Sequence, residues 1–502
     1  MLGLGMAVHG TSANLLIYLV KEYNVDSIDA AQISNIVRGS LNLMPVAGAV
    51  ISDSYFGSFP VILAGTAISV LSLLLFTLSA ALPPLRPLHC TPPSAAAACQ
   101  HGSPGQLAVL YAAVCLLAIG SGGARFNVAT MGADQFDAAR DQDTFFSWYF
   151  VFLYASLIVG DTVIVYLQDA VSWALGFGVC LATTVASLAI LLLGARYYRT
   201  PSPKGSPYTE LARVVVAALR RARADVSVLR REQYYVGDGA VADSDIDGTP
   251  SKRLRFLNRA AMITTSDSST DASAGEPPCT VQQVEDLKSL LGVLPLWSSG
   301  ILVSVSIGVM IGMSILQALA MDRSLGPHFK IPAGSITVCS TAAFIAATPV
   351  LDRAVFPLWR RVAAGGAGAL PTPLQRVALG HAVNALGMVT AALVECRRLS
   401  VVRAYHGGGT GEEAPMSVLW LLIPLGVVGV GEALHFPGNM AFYYLEFPKT
   451  LRSMATAMAP LLIALGFYLS TVFVDVVRRV TTWLPGNINQ GRLDNVYWPW
   501  RQ

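Results

Sequence analysis

Long apolar stretches separated by short polar loops recur along almost the whole chain. A helix of about 20 apolar residues is long enough to cross a bilayer. This pattern predicts eleven membrane spans, six before and five after one long polar segment. They lie near residues 1–20, 32–53, 59–82, 107–130, 145–167, 172–195, 289–318, 334–351, 375–394, 416–437 and 455–477.

The composition agrees with an all-α polytopic membrane protein. Of the 502 residues, 53% are hydrophobic and only 13% are charged, whereas soluble domains have about 25% charged residues. The net charge of +3 is too small and too dispersed to indicate a nucleic-acid partner. The seven cysteines show no metal-binding spacing, so neither a metal nor a cofactor is expected.

The long polar segment indicates how the chain is oriented. Its first part carries an arginine cluster that begins close to a span end, which favours the cytoplasmic side and places the N-terminus inside. The cluster consists of Arg213, Arg220, Arg221, Arg223, Arg230 and Arg231. Arg397, Arg398 and Arg403, after the ninth span, oppose this orientation. Cys90 and Cys99 then share an outer loop, where a disulfide and two free thiols are equally compatible with the sequence.

These features divide the chain into three parts. Residues 1–198 form an N-terminal bundle of six helices, and residues 286–502 form a C-terminal bundle. Residues 199–285 form a cytoplasmic loop. Within it, 207–225 predicts an amphipathic helix that either lies on the membrane surface or connects the bundles in solvent, and 232–278 is polar enough to be disordered.

Several ordered motifs resemble the plant nitrate/peptide transporter family, part of the proton-dependent oligopeptide transporter group. The first two are Gly132-Ala-Asp-Gln-Phe-Asp137 and Phe145-Phe-Ser-Trp-Tyr-Phe150. Others are Leu294-Pro-Leu-Trp297, Ile331-Pro-Ala-Gly-Ser335 and Gly486-Asn-Ile-Asn-Gln-Gly-Arg-Leu-Asp494. The resemblance implies the major facilitator fold, in which two six-helix bundles alternate around a midmembrane site. Compared with that twelve-helix fold, the sequence lacks a twelfth span, and the C-terminus is then expected outside the cell.

Two details refine the resemblance. Asn14-Leu-Leu-Ile-Tyr-Leu and Ser27-Ile-Asp-Ala-Ala-Gln-Ile-Ser-Asn35 are similar to the nitrate excretion subgroup. The family's Glu-x-x-Glu-Arg motif, associated with proton coupling, corresponds to Met1, Leu4 and Gly5, which lack an ionisable side chain. Either this subgroup has lost the motif or the sequence begins late, and the subgroup resemblance favours loss. The family's lysine in the fourth span corresponds to Arg125.

Arg125 is the leading candidate for substrate binding. A charge within an apolar span is costly and indicates function by default, and a forked guanidinium suits a flat oxyanion such as nitrate. The alternative is a structural ion pair, for which Asp161 in the fifth span is a candidate partner. Arg38 in the second span either adds positive potential to the pathway or extends its head group to the interface.

The C-terminal bundle offers a second candidate. Glu432 lies among glycines and a proline in the tenth span, and the matching glutamate of related peptide carriers is tied to binding a substrate amine. Here it could also pair with a cation or hold a proton. His435, one turn further on, is expected to be a packed neutral histidine. Tyr154 and Trp297 either line the cavity or pack as ordinary aromatic residues.

Three charged residues are candidates for gating. Asp134 and Asp137, in the polar loop after the fourth span, either control movement of the N-terminal bundle or cap helix ends. Lys288 opens the seventh span beside two acidic residues, where a cytoplasmic gate and a plain interfacial anchor are equally compatible with the sequence.

The expected function is transport of nitrate or another small monovalent anion, such as chloride, across the plasma membrane by alternating access. The missing acidic motif favours export driven by membrane potential over proton-driven uptake. Alternatives are a peptide, hormone or glucoside carrier, and a non-transporting paralogue that only binds a partner. No catalytic constellation is present. Gly120-Ser-Gly-Gly123 lies within a span with no strand before it, so it is not a phosphate-binding loop.

Overall fold

A computed structural model describes most of the chain as long helices. It describes residues 2–87, 102–137, 139–200, 207–221, 234–235, 250–263, 279–362, 371–406, 414–446, 452–485 and 488–498. Cys90 and Cys99 lie outside the described residues.

The first part of the chain contains six long helices and one shorter connector helix. They are α1 (Leu2–Tyr23), α2 (Ser27–Ile51), α3 (Ser58–Ala81), α4 (Pro104–Ala133), α5 (Ala139–Val159), α6 (Trp173–Gly194) and α7 (Pro207–Arg220). Two π-helical segments, Gly160–Ile164 and Leu167–Val171, extend α5 to the length of a full span. We call α1–α6 and these segments the N-terminal half.

The second part of the chain continues the helical pattern. Its helices are α8 (Val281–Leu319), α9 (Val338–Val350), α10 (Phe356–Val362), α11 (Pro373–His406), α12 (Leu422–Glu446), α13 (Arg452–Val480) and α14 (Leu493–Tyr497). A π-helical segment, Leu351–Val355, joins α9 to α10. Two short strands, β1 (Met321–Asp322) and β2 (Ala414–Ser417), pair in parallel between the helices. We call α8–α14 the C-terminal half.

Ten of the described helical segments are long and apolar enough to cross a membrane, and each contains or overlaps one predicted span. The remaining predicted span, the second, is the 25-residue helix α2, which carries Asp29 and Arg38 and is not among the ten. The helical, membrane-spanning architecture is therefore confirmed, while the division into six and five spans stays a prediction.

Small residues bring α4 close to its neighbours. A Cβ added to Gly65 of α3 would lie 2.7 Å from the carbonyl oxygen of Gly120, and one added to Gly123 would lie 2.8 Å from that of Val61. Such separations are too short for any side chain, so these glycines permit backbone contact between membrane helices. The glycine-rich stretch is thus a packing surface, and it fixes the position of Arg125 two residues further along α4.

The connector between the halves is more ordered than its composition predicts. Tyr234 forms an isolated antiparallel bridge with Met262, and Leu257 lies buried in a short 3-10 helix, Arg255–Ala261. These residues share an apolar cluster with Val214 of α7 and with the first turns of α8. The prediction of disorder is wrong for residues 234–235 and 250–263, because their few apolar side chains are buried against these two helices. Helix α7 (Pro207–Arg220) lies within the predicted amphipathic segment 207–225, and its place on the membrane surface or in solvent stays a prediction.

The two halves contact each other where α1 ends and α2 begins. Asp29 of α2 forms an ion pair with Arg478 of α13. Arg323, which follows α8, lies 3.8 Å from the carboxylate of Asp169 in the N-terminal half. The side-chain amide of Asn35 donates to the carbonyl oxygen of Gly308 in α8 at 3.3 Å. We call these contacts the outer clamp, because the predicted orientation places this end outside the cell.

A buried ion pair explains the arginines that contradict the expected orientation. Arg398 and Glu395 are both fully buried within α11, and their side chains approach to 2.7 Å. Gln317 of α8 donates to Glu395 at 2.6 Å, and Arg398 donates to Asn489 at 2.5 Å. The helix continues through residues that the sequence assigned to a loop, so Arg398 neutralises an internal carboxylate and does not report topology.

Candidate functional site

Arg125 lines a cavity inside the N-terminal half. The cavity has a volume of about 220 Å³, enough for several water molecules or a small ion. Residues from α1 to α6 form its walls: Leu4, Gly5, Val8, His9, Leu41, Ile62, Thr66, Ser121, Ala124, Arg125, Val128, Met131, Leu153, Ser187, Ile190, Leu191 and Tyr198. Arg125 is the arginine among these described wall residues, which include no carboxylate.

The guanidinium of Arg125 forms no hydrogen bond or ion pair with the described residues. Its recorded neighbour is Tyr149, which interacts with it electrostatically and donates a hydrogen bond to the Arg125 backbone carbonyl at 3.1 Å. The five N–H donors of this guanidinium therefore have no hydrogen-bond acceptor among the described residues, and the residue lines the cavity.

Helix α1 supplies the wall where the family's acidic motif would lie. Leu4 and Gly5, at two of its three positions, both line the cavity. They bring no charge close to Arg125. His9, which sequence reasoning did not single out, lines the same cavity and interacts electrostatically with Arg125 and Arg38. The only sequence signal for His9 is a polar residue within the first apolar run.

The predicted pairing of Asp161 with Arg125 is wrong. Asp161 interacts electrostatically with Arg38. The two residues lie at different heights in the bundle. Tyr149 contacts Arg125, and Asp161 lies twelve residues beyond Tyr149 on the same span, about 18 Å further along at 1.5 Å per residue. Arg38 also donates to the carbonyl oxygen of Ser12 at 3.4 Å, while its Nε is buried without a hydrogen-bond partner. Arg38 thus contacts α1 inside the protein, at the level of Asp161.

Tyr154 lies on the surface of α5 that faces the other half. Its ring centroid is 6.5 Å from that of Phe344 in α9, so the side chain belongs to the boundary between the halves. Its hydroxyl makes no hydrogen bond to the described residues. The residue is therefore available to a molecule located between the halves, as a cavity-lining role requires.

Glu432 and Trp297 belong to the C-terminal half. Glu432 lies in the middle of α12, partly buried, and forms no hydrogen bond or ion pair with the described residues. Trp297 of α8 packs against the apolar cluster that includes Leu462, and its indole N–H is buried without an acceptor. His435 is fully buried and packed, as expected.

The loop that follows α4 is attached to the end of the sixth span. Asp137 forms an ion pair with Arg199 at 2.7 Å, and both side chains are exposed. Gln135 exchanges two hydrogen bonds with the backbone of Arg199, at 2.9 and 3.1 Å. Asp134 is the C-terminal capping residue of α4. The contacts favour a role in holding α4 and α6 together, and gating by either aspartate stays a prediction.

Lys288 is buried at the start of the seventh span. Its ammonium group donates to Glu285 at 2.7 Å and to the carbonyl oxygen of Ser251 at 2.8 Å. Because Ser251 belongs to the connector, these bonds attach the connector to α8. They favour anchoring, and a gating role for Lys288 stays a prediction.

The structure therefore brings Arg125 and His9 together in one cavity, and it places Tyr154 at the boundary between the halves. Glu432 and Trp297 lie across that boundary in the C-terminal half. Arg38 lies nearer the outer clamp, while Asp134, Asp137 and Lys288 stabilise loops at the opposite end. Within the described residues no carboxylate lies beside Arg125 in this cavity, and anion binding by Arg125 stays a prediction.

Comparison with known proteins places these features in a family. A sequence profile of the POT family (PTR2) matches residues 59–490. The protein NRT1/ PTR FAMILY 2.7 of Arabidopsis thaliana is 44% identical over 503 residues, covering 99% of this chain and 87% of that protein. NRT1/ PTR FAMILY 2.6 of the same plant is 42% identical over 501 residues, with the same coverage of each chain.

Solved structures share the fold at low sequence identity. The POT family transporter PepTSo has a TM-score of 0.70 and 16% identity, with 99% of this chain and 93% of that chain covered. A POT family transporter solved in complex with 5-aminolevulinic acid has a TM-score of 0.63 and 13% identity, with 100% and 92% covered. These likenesses confirm the major facilitator architecture expected from the sequence.

The family resemblance of the sequence motifs is thus confirmed across nearly the whole chain. It also settles the class of activity, because the family and the structural neighbours are membrane transporters and not enzymes. This chain belongs to the POT family and is an integral, multi-pass membrane transporter of the plant NRT1/PTR type.

Proposed function

We propose that this transporter carries nitrate or another small monovalent anion such as chloride, and that the anion binds the guanidinium of Arg125. The observation that carries the proposal is that the guanidinium of Arg125, which forms no hydrogen bond or ion pair with the described residues, lines a cavity whose described walls contain no carboxylate. A buried charge without a partner is strongly unfavourable, so an arriving anion relieves that cost as well as forming new bonds.

The chemistry of the cavity walls favours a small substrate over a peptide at this position. A planar oxyanion can accept two parallel hydrogen bonds from one guanidinium. The hydroxyls of Thr66 and Ser121 already donate to carbonyl oxygens of their own helices, at 2.7 and 3.0 Å. Most other wall residues are apolar, so the cavity offers few further groups to a larger polar molecule.

The outer clamp supports alternating access. Its contacts close the boundary between the halves at the end where α1 ends, and a carrier must break them to open in that direction. An anion would then reach the Arg125 level from the opposite, cytoplasmic side. The clamp must re-form after each outward opening, so its strength sets how strongly the outward-closed state is favoured over the outward-open one.

The charge of the site favours export across the plasma membrane. With no acidic group among the described walls to take up a proton beside Arg125, the anion crosses without a proton, and each transport cycle moves one negative charge. A cell-negative potential of about 100 mV favours exit of a monovalent anion by about 2.3 kcal/mol. The similarity of two N-terminal motifs to the nitrate excretion subgroup, Asn14-Leu-Leu-Ile-Tyr-Leu and the stretch starting at Ser27, points to the same direction.

The test is expression in oocytes with voltage-clamp recording and isotopic nitrate efflux. We expect outward movement of nitrate that increases as the interior is made more negative, with competition by chloride. Water-injected cells serve as the control. Surface-expressed protein that moves neither anion, but does move dipeptides, would contradict the proposal.

A second candidate substrate class is favoured by Glu432. This carboxylate has no described partner in the C-terminal half, and a substrate with an amine, such as a peptide, would neutralise it. Competition separates the two classes: dipeptides in excess should leave nitrate efflux unchanged if Arg125 is the principal contact, and should abolish it if substrate binds through Glu432.

A further inference from the structure

The connector between the halves carries a strong excess of positive charge. Its described residues include three arginines in 207–221 and four lysines and arginines in 250–263, against one carboxylate, Glu210. Lys252, Arg253 and Arg255 are exposed, and none of them forms a hydrogen bond or ion pair with a residue that the structure describes. This part of the molecule therefore presents positive charge that no described carboxylate neutralises.

Two carboxylates beside this segment have other partners. Glu210 of α7 accepts a hydrogen bond from the side-chain amide of Gln283 at 3.4 Å. Glu285 of α8 accepts from the ammonium group of Lys288 and from the backbone N–H of Ser251, both at 2.7 Å. Both acids thus hold the connector and α8 together, and they leave the exposed cations to an acid from outside the protein.

Exposed apolar side chains accompany the cations. Phe256, which follows Arg255, is 50% exposed. The same combination occurs on α7, where Val216 and Leu219 are 44% and 67% exposed, and Val216 shares a helix face with Arg213 three residues earlier. Apolar side chains bordered by cations are typical of elements that lie on a membrane, because the apolar groups enter the acyl boundary while the charges stay among the headgroups.

The contacts with α8 set the depth of this segment. Helix α8 has 39 residues, or about 58 Å of length, which exceeds the roughly 40–45 Å of a bilayer with its headgroups. The predicted span begins at residue 289, eight residues into the helix. A Cβ added to Gly292 would lie 3.0 Å from Nη1 of Arg253. The guanidinium of Arg253 therefore lies beside the first turn of the span, at the level of the phospholipid headgroups.

Hydrogen bonds hold the segment in this place. Lys288 of α8 donates to the carbonyl oxygen of Ser251 at 2.8 Å, and Arg221, just after α7, donates to that of Met262 at 2.7 Å. Because α8 is a candidate membrane span, the exposed cations stay at the membrane surface. That position favours a membrane lipid over a soluble acidic partner.

We propose that Lys252, Arg253, Arg255 and Phe256 bind anionic phospholipids in the leaflet at this end of the molecule, which the predicted orientation makes the cytoplasmic leaflet. We call these four residues the basic connector surface. Its cations donate hydrogen bonds to lipid phosphate and carboxylate oxygens, while the ring of Phe256 contacts the upper part of the acyl chains. Lipid binding here does not depend on which substrate the transporter carries.

The first test is a lipid titration of the purified full-length protein in detergent, followed by native mass spectrometry. The probes are phosphatidylserine and phosphatidylcholine with the same acyl chains. We expect phosphatidylserine to bind at a lower concentration, because it alone has a net negative charge. Equal binding of the two lipids would overturn the proposal, and an acidic protein would become the better partner for this surface.

The second test removes charge from the basic connector surface. A basic residue near an anionic surface contributes about fivefold to binding, so Arg253→Gln with Arg255→Gln should raise the half-saturating phosphatidylserine concentration about 30-fold. Phosphatidylcholine binding should not change. Arg253→Lys with Arg255→Lys keeps the charge and should bind as wild type does. The matched control is Arg397→Gln with Arg403→Gln, which removes two exposed arginines of α11. No loss in the connector variant, or an equal loss in the control, would overturn the proposal.

Two further measurements separate the surface from packing and from a soluble ligand. Because Arg253 lies against α8, a variant there also alters packing, whereas Arg255→Gln alone changes an exposed side chain and should weaken phosphatidylserine binding about fivefold. Inorganic phosphate at the concentration of the lipid should leave phosphatidylserine bound. Unchanged binding in Arg255→Gln, or full displacement by inorganic phosphate, would contradict a lipid-binding surface.

Discussion

Two arginines inside the membrane helices have opposite surroundings. Arg398 of α11 is fully buried and forms a 2.7 Å ion pair with Glu395, and Gln317 and Asn489 complete its network. Arg125 of α4 faces a cavity, and no described residue accepts a hydrogen bond from its guanidinium. Both residues carry the same charge in an apolar span, so the charge alone does not identify a binding site.

The difference teaches that a satisfied buried charge supports structure, while an unsatisfied one supports binding. The Arg398 network joins α8, α11 and the segment before α14, and Tyr497 of α14 donates to Gln317 at 3.2 Å. An anion arriving there would find the donors already occupied. At Arg125 the same donors are free, and the surrounding wall supplies no carboxylate to compete.

The largest effect should come from breaking the satisfied pair. Arg398→Met leaves the Glu395 carboxylate buried without its partner, and removing one member of a buried ion pair costs about 3–5 kcal/mol. We expect poor expression and a much lower thermal unfolding temperature in detergent. The double variant Glu395→Leu with Arg398→Met should recover much of the loss, since no uncompensated charge remains. A single variant as stable as wild type would show that the pair is not structural.

A smaller effect should follow from changing the neighbour of the unsatisfied arginine. His9 lines the Arg125 cavity, and His9→Phe removes a polar wall group while keeping a ring. The loss of one hydrogen bond costs about 0.5–1.5 kcal/mol, so the concentration of nitrate for half-maximal transport should rise by a few-fold to about tenfold. Thermal stability should change little. His328→Phe, in an exposed loop, is the matched control, and an equal change in both variants would remove His9 from the site.

The smallest effect on stability concerns a third kind of arginine, which is paired but exposed. Arg478 and Asp29 of the outer clamp are 34% and 42% exposed, and such pairs contribute about 0–1 kcal/mol. Asp29→Asn should barely alter unfolding but should favour the outward-open state. An Asn35→Cys reporter between the halves should react faster with an external thiol reagent in the Asp29→Asn background. No change in its labelling rate would show that the pair does not hold the clamp closed.

The sequence predicts most of the architecture because apolar length determines a membrane helix. It fails at α11, which continues to His406 through charges that look like a loop. The spacing of Glu395 and Arg398 allows an ion pair within one helix, but nothing in the sequence shows that the pair is buried. The order of residues 250–263 was also unforeseen, because the few apolar side chains there depend on partners in α7 and α8.

For the candidate site, the sequence identifies charges but not their surroundings. Arg125 was found because it interrupts an apolar run. The predicted partner, Asp161, is wrong. Two residues on packed helices can pair only where they lie at the same height along the helices, and Asp161 lies at the height of Arg38. His9 was overlooked, since an uncharged polar residue in a span gains meaning only from its neighbours on other helices.

The central claim is that the free guanidinium of Arg125 binds the transported anion. The most direct measurement is nitrate flux at fixed voltage and pH in Arg125→Gln, normalised to surface protein, beside Glu432→Gln as the matched variant in the other half. Losing a bidentate charged contact worth about 3 kcal/mol should lower flux about 100-fold, with unfolding temperature unchanged. Glu432→Gln should retain nitrate transport. Wild-type flux in Arg125→Gln, or its loss only in Glu432→Gln, would contradict the account.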